Sequence, residues 1–155
     1  MNIFSLKYFG IFFLVISFFS FFNIIYSYYF NLLNNLSNYF LTFGITFIIG
    51  LFLIIFKKYK YKKINLFERI LIVFIGYIIL PVAIAIPYYL TFNELTLINC
   101  YFEAISGFTS TGFTIFNDLN KLDQTLILWR SSSQWIGGLY FLFSILLIID
   151  IFDEN

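Results

Sequence analysis

No histidine occurs among the 155 residues, and Cys100 is the single cysteine. A disulfide framework within the chain and a Cys/His zinc site are both excluded. Without a Ser/Lys or Cys/His pairing, nucleophilic or metal-dependent catalysis has little to work with, so neither an enzyme nor a cofactor is expected. Cys100 reads as a small packing residue rather than a reactive thiol. Charge is scarce too: 11% of residues are charged, against about 25% in a soluble domain. The net charge is +1 and no long basic face exists, so a nucleic-acid partner is not expected.

Apolar residues fill the gap, at 61% of the chain with 25% aromatic and a mean hydropathy of +0.92. Such a composition belongs to an integral membrane protein, here all-α, with the lipid bilayer as its first partner. The first apolar stretch runs over residues 8–30 behind Lys7. It is too long and too bulky at its far end for a cleaved signal, and its closing tyrosines suit the membrane interface. A polar break, NLLNNLSN at 31–38, precedes a second run at 39–56, about 27 Å long as a helix against a hydrocarbon core of about 30 Å. Gly44 and Gly50 on it are either tolerated small residues or points of close helix contact.

Lys57, Lys58, Lys60, Lys62, Lys63 and Arg69 then bring together six of the nine basic residues. By the positive-inside rule this loop is cytoplasmic; a lipid-binding patch is the other reading. Residues 1–63 thus form a helix pair with a basic loop, and residues 64–155 a second unit. In that unit an outer helix is expected at 68–90, kinked or ended early by Pro81 and Pro87. Alternation leaves both chain ends cytoplasmic and residues 91–123 outside. An inner helix at 126–149 returns inward, ahead of the acidic end DIFDEN. Asp118 and Asp123 are expected as solvated charges of the outer loop, or as a lure for cations.

Between those two helices lies FEAISGFTSTGFT, residues 102–114. It is too short and too rich in Gly, Ser and Thr to span a bilayer. Its irregular backbone would survive in lipid only where protein buries it or where it lines a wet cavity, so a re-entrant loop is expected. A short helix at 98–107 can stop at Gly107, its carboxyl-end dipole aimed at the membrane centre. Small hydroxyl residues around Gly112 suit a backbone that turns its carbonyls toward an ion. Glu103 and Arg130 are charges near lipid, and a buried pair between them would hold the loop to the inner helix. Trp129 and Trp135 are candidate interface anchors, Trp129 the better placed. Gly137-Gly138 offers either a bend or helix packing.

FEAISGFTSTGFT and the following WRSSSQWIGG, residues 129–138, together resemble the first pore repeat of the Trk/Ktr/HKT superfamily of potassium transporters. The family pattern is a phenylalanine-rich pore helix ending in SG, a filter of the TTGAT kind, then a helix opening WR and continuing QW-hydrophobic-GG. The likeness covers about 67–149, with the first two helices matching the family's extra amino-terminal pair. It implies potassium as transported ion, held by the backbone carbonyls of Ser110, Thr111 and Gly112, with Phe113 and Thr114 supporting the filter at 110–114. Ser110 and Phe113 depart from TTGAT: Phe113 would pack behind the filter, and relaxed discrimination against sodium is left open. Gly137 and Gly138 would be the hinge, although Tyr140 stands near where the family often has a further glycine.

Family members carry four such repeats around one pore, and this chain holds one. The resemblance therefore implies a quarter of a filter completed by remaining repeats or identical copies, in a bacterial-type inner membrane with a cytoplasmic nucleotide-binding regulatory subunit as partner. The DIFDEN ending favours a fragment of a longer or split transporter. A non-conducting remnant or membrane assembly partner, and a homotetrameric cation channel, are the alternatives.

Overall fold

The structure is a computed structural model that describes residues 3–55, 65–92, 94–119 and 122–149, with side chains from residue 7 onward. The basic residues 57–63 and the acidic end fall outside the described residues. Among these, all regular structure is helical, in the order α1 (Ile3–Tyr29), a 3-10 turn (Leu33–Asn35), α2 (Leu36–Ile55), α3 (Leu66–Ile84), α4 (Ile86–Thr91), α5 (Leu97–Phe108) and α6 (Gln124–Ile149). Among the described residues, four stretches are long and apolar enough to cross a membrane: Lys7–Tyr29, Leu33–Ile55, Leu66–Thr91 and Gln124–Ile149. Large apolar side chains such as Phe18, Ile48, Phe74 and Leu146 face outward, as hydrocarbon solvent permits. The protein is an all-α integral membrane protein with two amino-terminal spans, then a span, a re-entrant loop and a span.

α1 and α2 form a hairpin around the turn at Asn31, whose φ of 55° lies in the left-handed region. Asparagine tolerates that region better than most residues. The hairpin closes where Gly10 faces Gly50: a Cβ built on Gly50 would stand 3.0 Å from the Gly10 carbonyl oxygen. Gly50 is therefore a close-contact residue and Gly44, with open space beside it, is the merely tolerated one. Toward the turn, the Ser20 hydroxyl donates to the Tyr39 carbonyl at 2.9 Å.

The outer helix breaks at Ala85, between α3 and α4. Pro87 has no N–H for the carbonyl four residues back and its ring crowds that carbonyl, so the ladder cannot run through. Pro81 is accommodated inside α3. At the break the Ile84 carbonyl is taken by the Trp129 indole N–H at 3.0 Å in the core. Trp129 is wholly buried and so is not an interface anchor; Trp135, on the other side of α6, is 69% exposed.

Arg69 lies within α3 rather than in the basic loop. Its guanidinium donates to the Leu147 carbonyl at 3.2 Å, supplying a cation and a donor to the carboxyl end of α6. Asp123 also differs from expectation. Its carboxylate accepts from Asn35 at 3.0 Å and from the Thr125 N–H and hydroxyl at 3.0 and 3.2 Å, starting α6 and tying it to the hairpin turn. Asn35 and Asn38 meet Thr91 in the same cluster. α1 packs along α6, and α5 lies against α3 and α6, which sets the loop after α5 beside the first turns of α6.

Candidate ion-filter loop

α5 is too short to cross a bilayer, at 12 residues or about 18 Å. It starts at Thr96, whose hydroxyl accepts from the Asn99 N–H at 3.3 Å. One face packs inward through Cys100, Glu103, Ala104, Ser106, Gly107 and Phe108. Small residues make the seam with α6. A Cβ on Gly107 would clash with the Ser133 hydroxyl, and one on Gly137 would clash with the Phe108 carbonyl oxygen. Gly137 is thus a packing glycine under the end of α5, whereas Gly138 faces open space.

The helix does not stop at Gly107, which lies inside it. It stops at Ser110, whose φ is +55°. The Ser110 N–H bonds the Gly107 carbonyl at 2.9 Å and the Thr111 N–H bonds that of Ser106 at 3.1 Å; this is a Schellman closure with serine where glycine is usual. Gly112, at φ +81°, makes a second left-handed turn two residues later. A side chain there would be strained even though nothing crowds it. Residues 109–113 are exposed along their length.

Two side chains of α5 and one of α6 hold this loop. The Ser106 hydroxyl donates to the Phe113 carbonyl and touches the Thr111 hydroxyl at 3.2 Å. Glu103, with no exposed surface, accepts on one oxygen from the Thr114 hydroxyl at 2.9 Å and from the Ile115 N–H at 3.1 Å. Its other oxygen lies 2.8 Å from Arg130 Nε. That contact is an ion pair rather than an aligned hydrogen bond, and neither atom has a hydrogen-bond partner elsewhere. Arg130 Nη2 donates to the carbonyls of Gly112 and Phe113 at 3.2 and 3.1 Å.

Glu103 and Arg130 are therefore brought together, with Thr114 on the Glu103 side. The Phe113 ring is 69% exposed in the single chain, and its backbone carbonyl accepts from Ser106 and Arg130. Of the three carbonyls assigned to an ion, that of Gly112 is on Arg130. Those of Ser110 and Thr111 accept no hydrogen bond among the described residues. In the sequence motif Ser106 is only half of an SG helix end. Its spacing of five residues from Thr111 and seven from Phe113 was the available sign that it could reach back across the turn. In the sequence motif Tyr140 is only a departure from a glycine pattern. It is buried with its hydroxyl 3.1 Å from both the Ile72 and Val73 carbonyls, over Gly76.

A helix, a re-entrant loop with two left-handed residues and a second helix, all inside a bundle of spans, define the class as a multi-pass membrane protein with one helix–loop–helix repeat. No family model matches the chain, and no solved structure gives a significant match. Curated proteins do. The chain is 31% identical over 94 residues to an uncharacterized cation transporter of Methanocaldococcus jannaschii, covering 57% of this chain and 20% of that protein. It is 40% identical over 55 residues to the Trk system potassium uptake protein TrkI of Halomonas elongata, covering 36% and 11%. With TrkG of Escherichia coli it shares 31% identity over 102 residues, covering 65% and 21%. The matched part is about a fifth or less of each relative's own length. The chain is related to the Trk-type potassium uptake proteins.

Proposed function

We propose that this chain contributes one wall of a potassium filter in a Trk-type uptake system. The observation that carries the reading is the pair of left-handed residues, Ser110 and Gly112, on either side of Thr111. They leave the Ser110 and Thr111 carbonyls without protein donors on an exposed loop. Carbonyl oxygens in such a position replace the hydration shell of a potassium ion. Gly112 turns the chain back, and the ion is cargo rather than a resident cofactor.

One loop cannot encircle an ion. The remaining walls come from further repeats or from identical copies, whose loops would cover the exposed residues 109–113. The basic loop at 57–63 orients the molecule with both ends cytoplasmic and the filter loop outside. A cytoplasmic nucleotide-binding regulatory subunit is the partner that family resemblance suggests.

The test is rubidium uptake into liposomes holding the purified chain under a potassium gradient, with Gly112→Asp as the matched control. Uptake in the native chain, lost in the control, is expected if identical copies complete the pore. Absence of uptake in both would leave a quarter that needs other repeats, or a non-conducting remnant. Coexpression with a split partner supplying those repeats then separates the two, since only a quarter gains uptake.

A further inference from the structure

The Glu103–Arg130 pair does more than fasten the loop. Arg130 lies on the carbonyls of both Gly112 and Phe113 while its Nε faces the buried Glu103 carboxylate. A guanidinium offers its donors in a fixed planar fork, so the same group that neutralises Glu103 also takes the Gly112 carbonyl. We propose that Arg130 is a specificity-determining positioning residue. It withdraws the Gly112 carbonyl from the ion path, so that this repeat presents the Ser110 and Thr111 carbonyls alone.

The inference rests on the filter reading above and sharpens it in two ways. The number of carbonyls around the ion is one of the properties on which discrimination between potassium and sodium depends, and withdrawing one lowers that number. Glu103 has a matching role. With its carboxylate in place the guanidinium is neutralised; without it, a bare positive charge would stand beside the filter and repel a cation.

Arg130→Lys separates fastening from withdrawal. Lysine keeps a cation for Glu103 but is a point charge without the fork. Two measurements on the full chain in lipid are needed. The first is amide hydrogen exchange at Ile115, whose N–H is held by the Glu103 carboxylate; it requires no transport. With the fork of Arg130 gone, the backbone that carries this N–H is no longer fastened to α6 and its exchange should speed at least about tenfold, with exchange in α1 and α2 unchanged. The second is the ratio of rubidium to sodium uptake, which should rise as the Gly112 carbonyl is released to the ion.

Unchanged exchange overturns the proposal. So does faster exchange with a ratio that stays the same or falls, since Arg130 would then be structural only. If the native chain alone takes up neither ion, the ratio is read on the chain coexpressed with the partner that supplies the other repeats: an unchanged ratio there overturns the proposal, and no uptake there overturns the filter reading and the proposal with it. Should Arg130→Lys fail to accumulate in the membrane, the double variant Glu103→Gln with Arg130→Gln removes both buried charges together. It carries the same expectations.

Discussion

The α1–α2 hairpin and the loop after α5 are held by opposite means. Along the hairpin, apolar side chains meet over a glycine contact between Gly10 and Gly50, and much of the outer surface is free to touch lipid. In the loop, a few polar groups do nearly everything: Ser106, Glu103 and Arg130 engage three successive carbonyl or amide positions from Gly112 to Ile115. Dispersed apolar contact tolerates substitution because each side chain adds little. A concentrated polar network does not, since removing one member leaves another buried without a partner. The irregular backbone needs such a network, because lipid offers its N–H and C=O groups nothing.

That contrast can be broken most severely at the ion pair. Glu103→Gln should lower the melting temperature of the purified protein sharply, since losing one partner of a buried pair costs about 3–5 kcal/mol. Phe18→Ala, at a hairpin position 64% exposed, should barely move it. Equal effects would erase the distinction between the regions. A smaller loss is expected at the α5–α6 seam. Gly137→Ala must push the Phe108 carbonyl aside and should destabilise by about 1–3 kcal/mol, whereas Gly138→Ala should be close to neutral; thermal unfolding of the pair in one detergent checks the order. Smallest is Trp129→Phe, which keeps the ring in the core but leaves the Ile84 carbonyl at the helix break without its donor. About 1–2 kcal/mol is expected, read in the same assay.

The loop and its main partners were legible in the sequence for a physical reason. A glycine- and hydroxyl-rich stretch between apolar runs has few stable places to be, and two opposite charges beside lipid must find each other. What escaped was direction. Gly107 and Ser110 both offer a way to end a helix, and only the packing of Gly107 on Ser133 decides between them. Trp129 and Trp135 differ in face rather than in hydropathy. Asp123 looked like a loop charge because its partners, Asn35 and Thr125, come from opposite sides of the sequence. The Gly112 carbonyl was beyond pattern reading altogether, since a motif gives the residue and not where its oxygen points.

The most direct test of the central claim is an experimental structure of the assembled protein grown with rubidium, read by the ion's anomalous scattering. The account predicts a rubidium peak within coordination distance of the Ser110 and Thr111 carbonyls, with the Gly112 carbonyl still on Arg130. A peak elsewhere, or none with those two carbonyls turned into the protein, would contradict it.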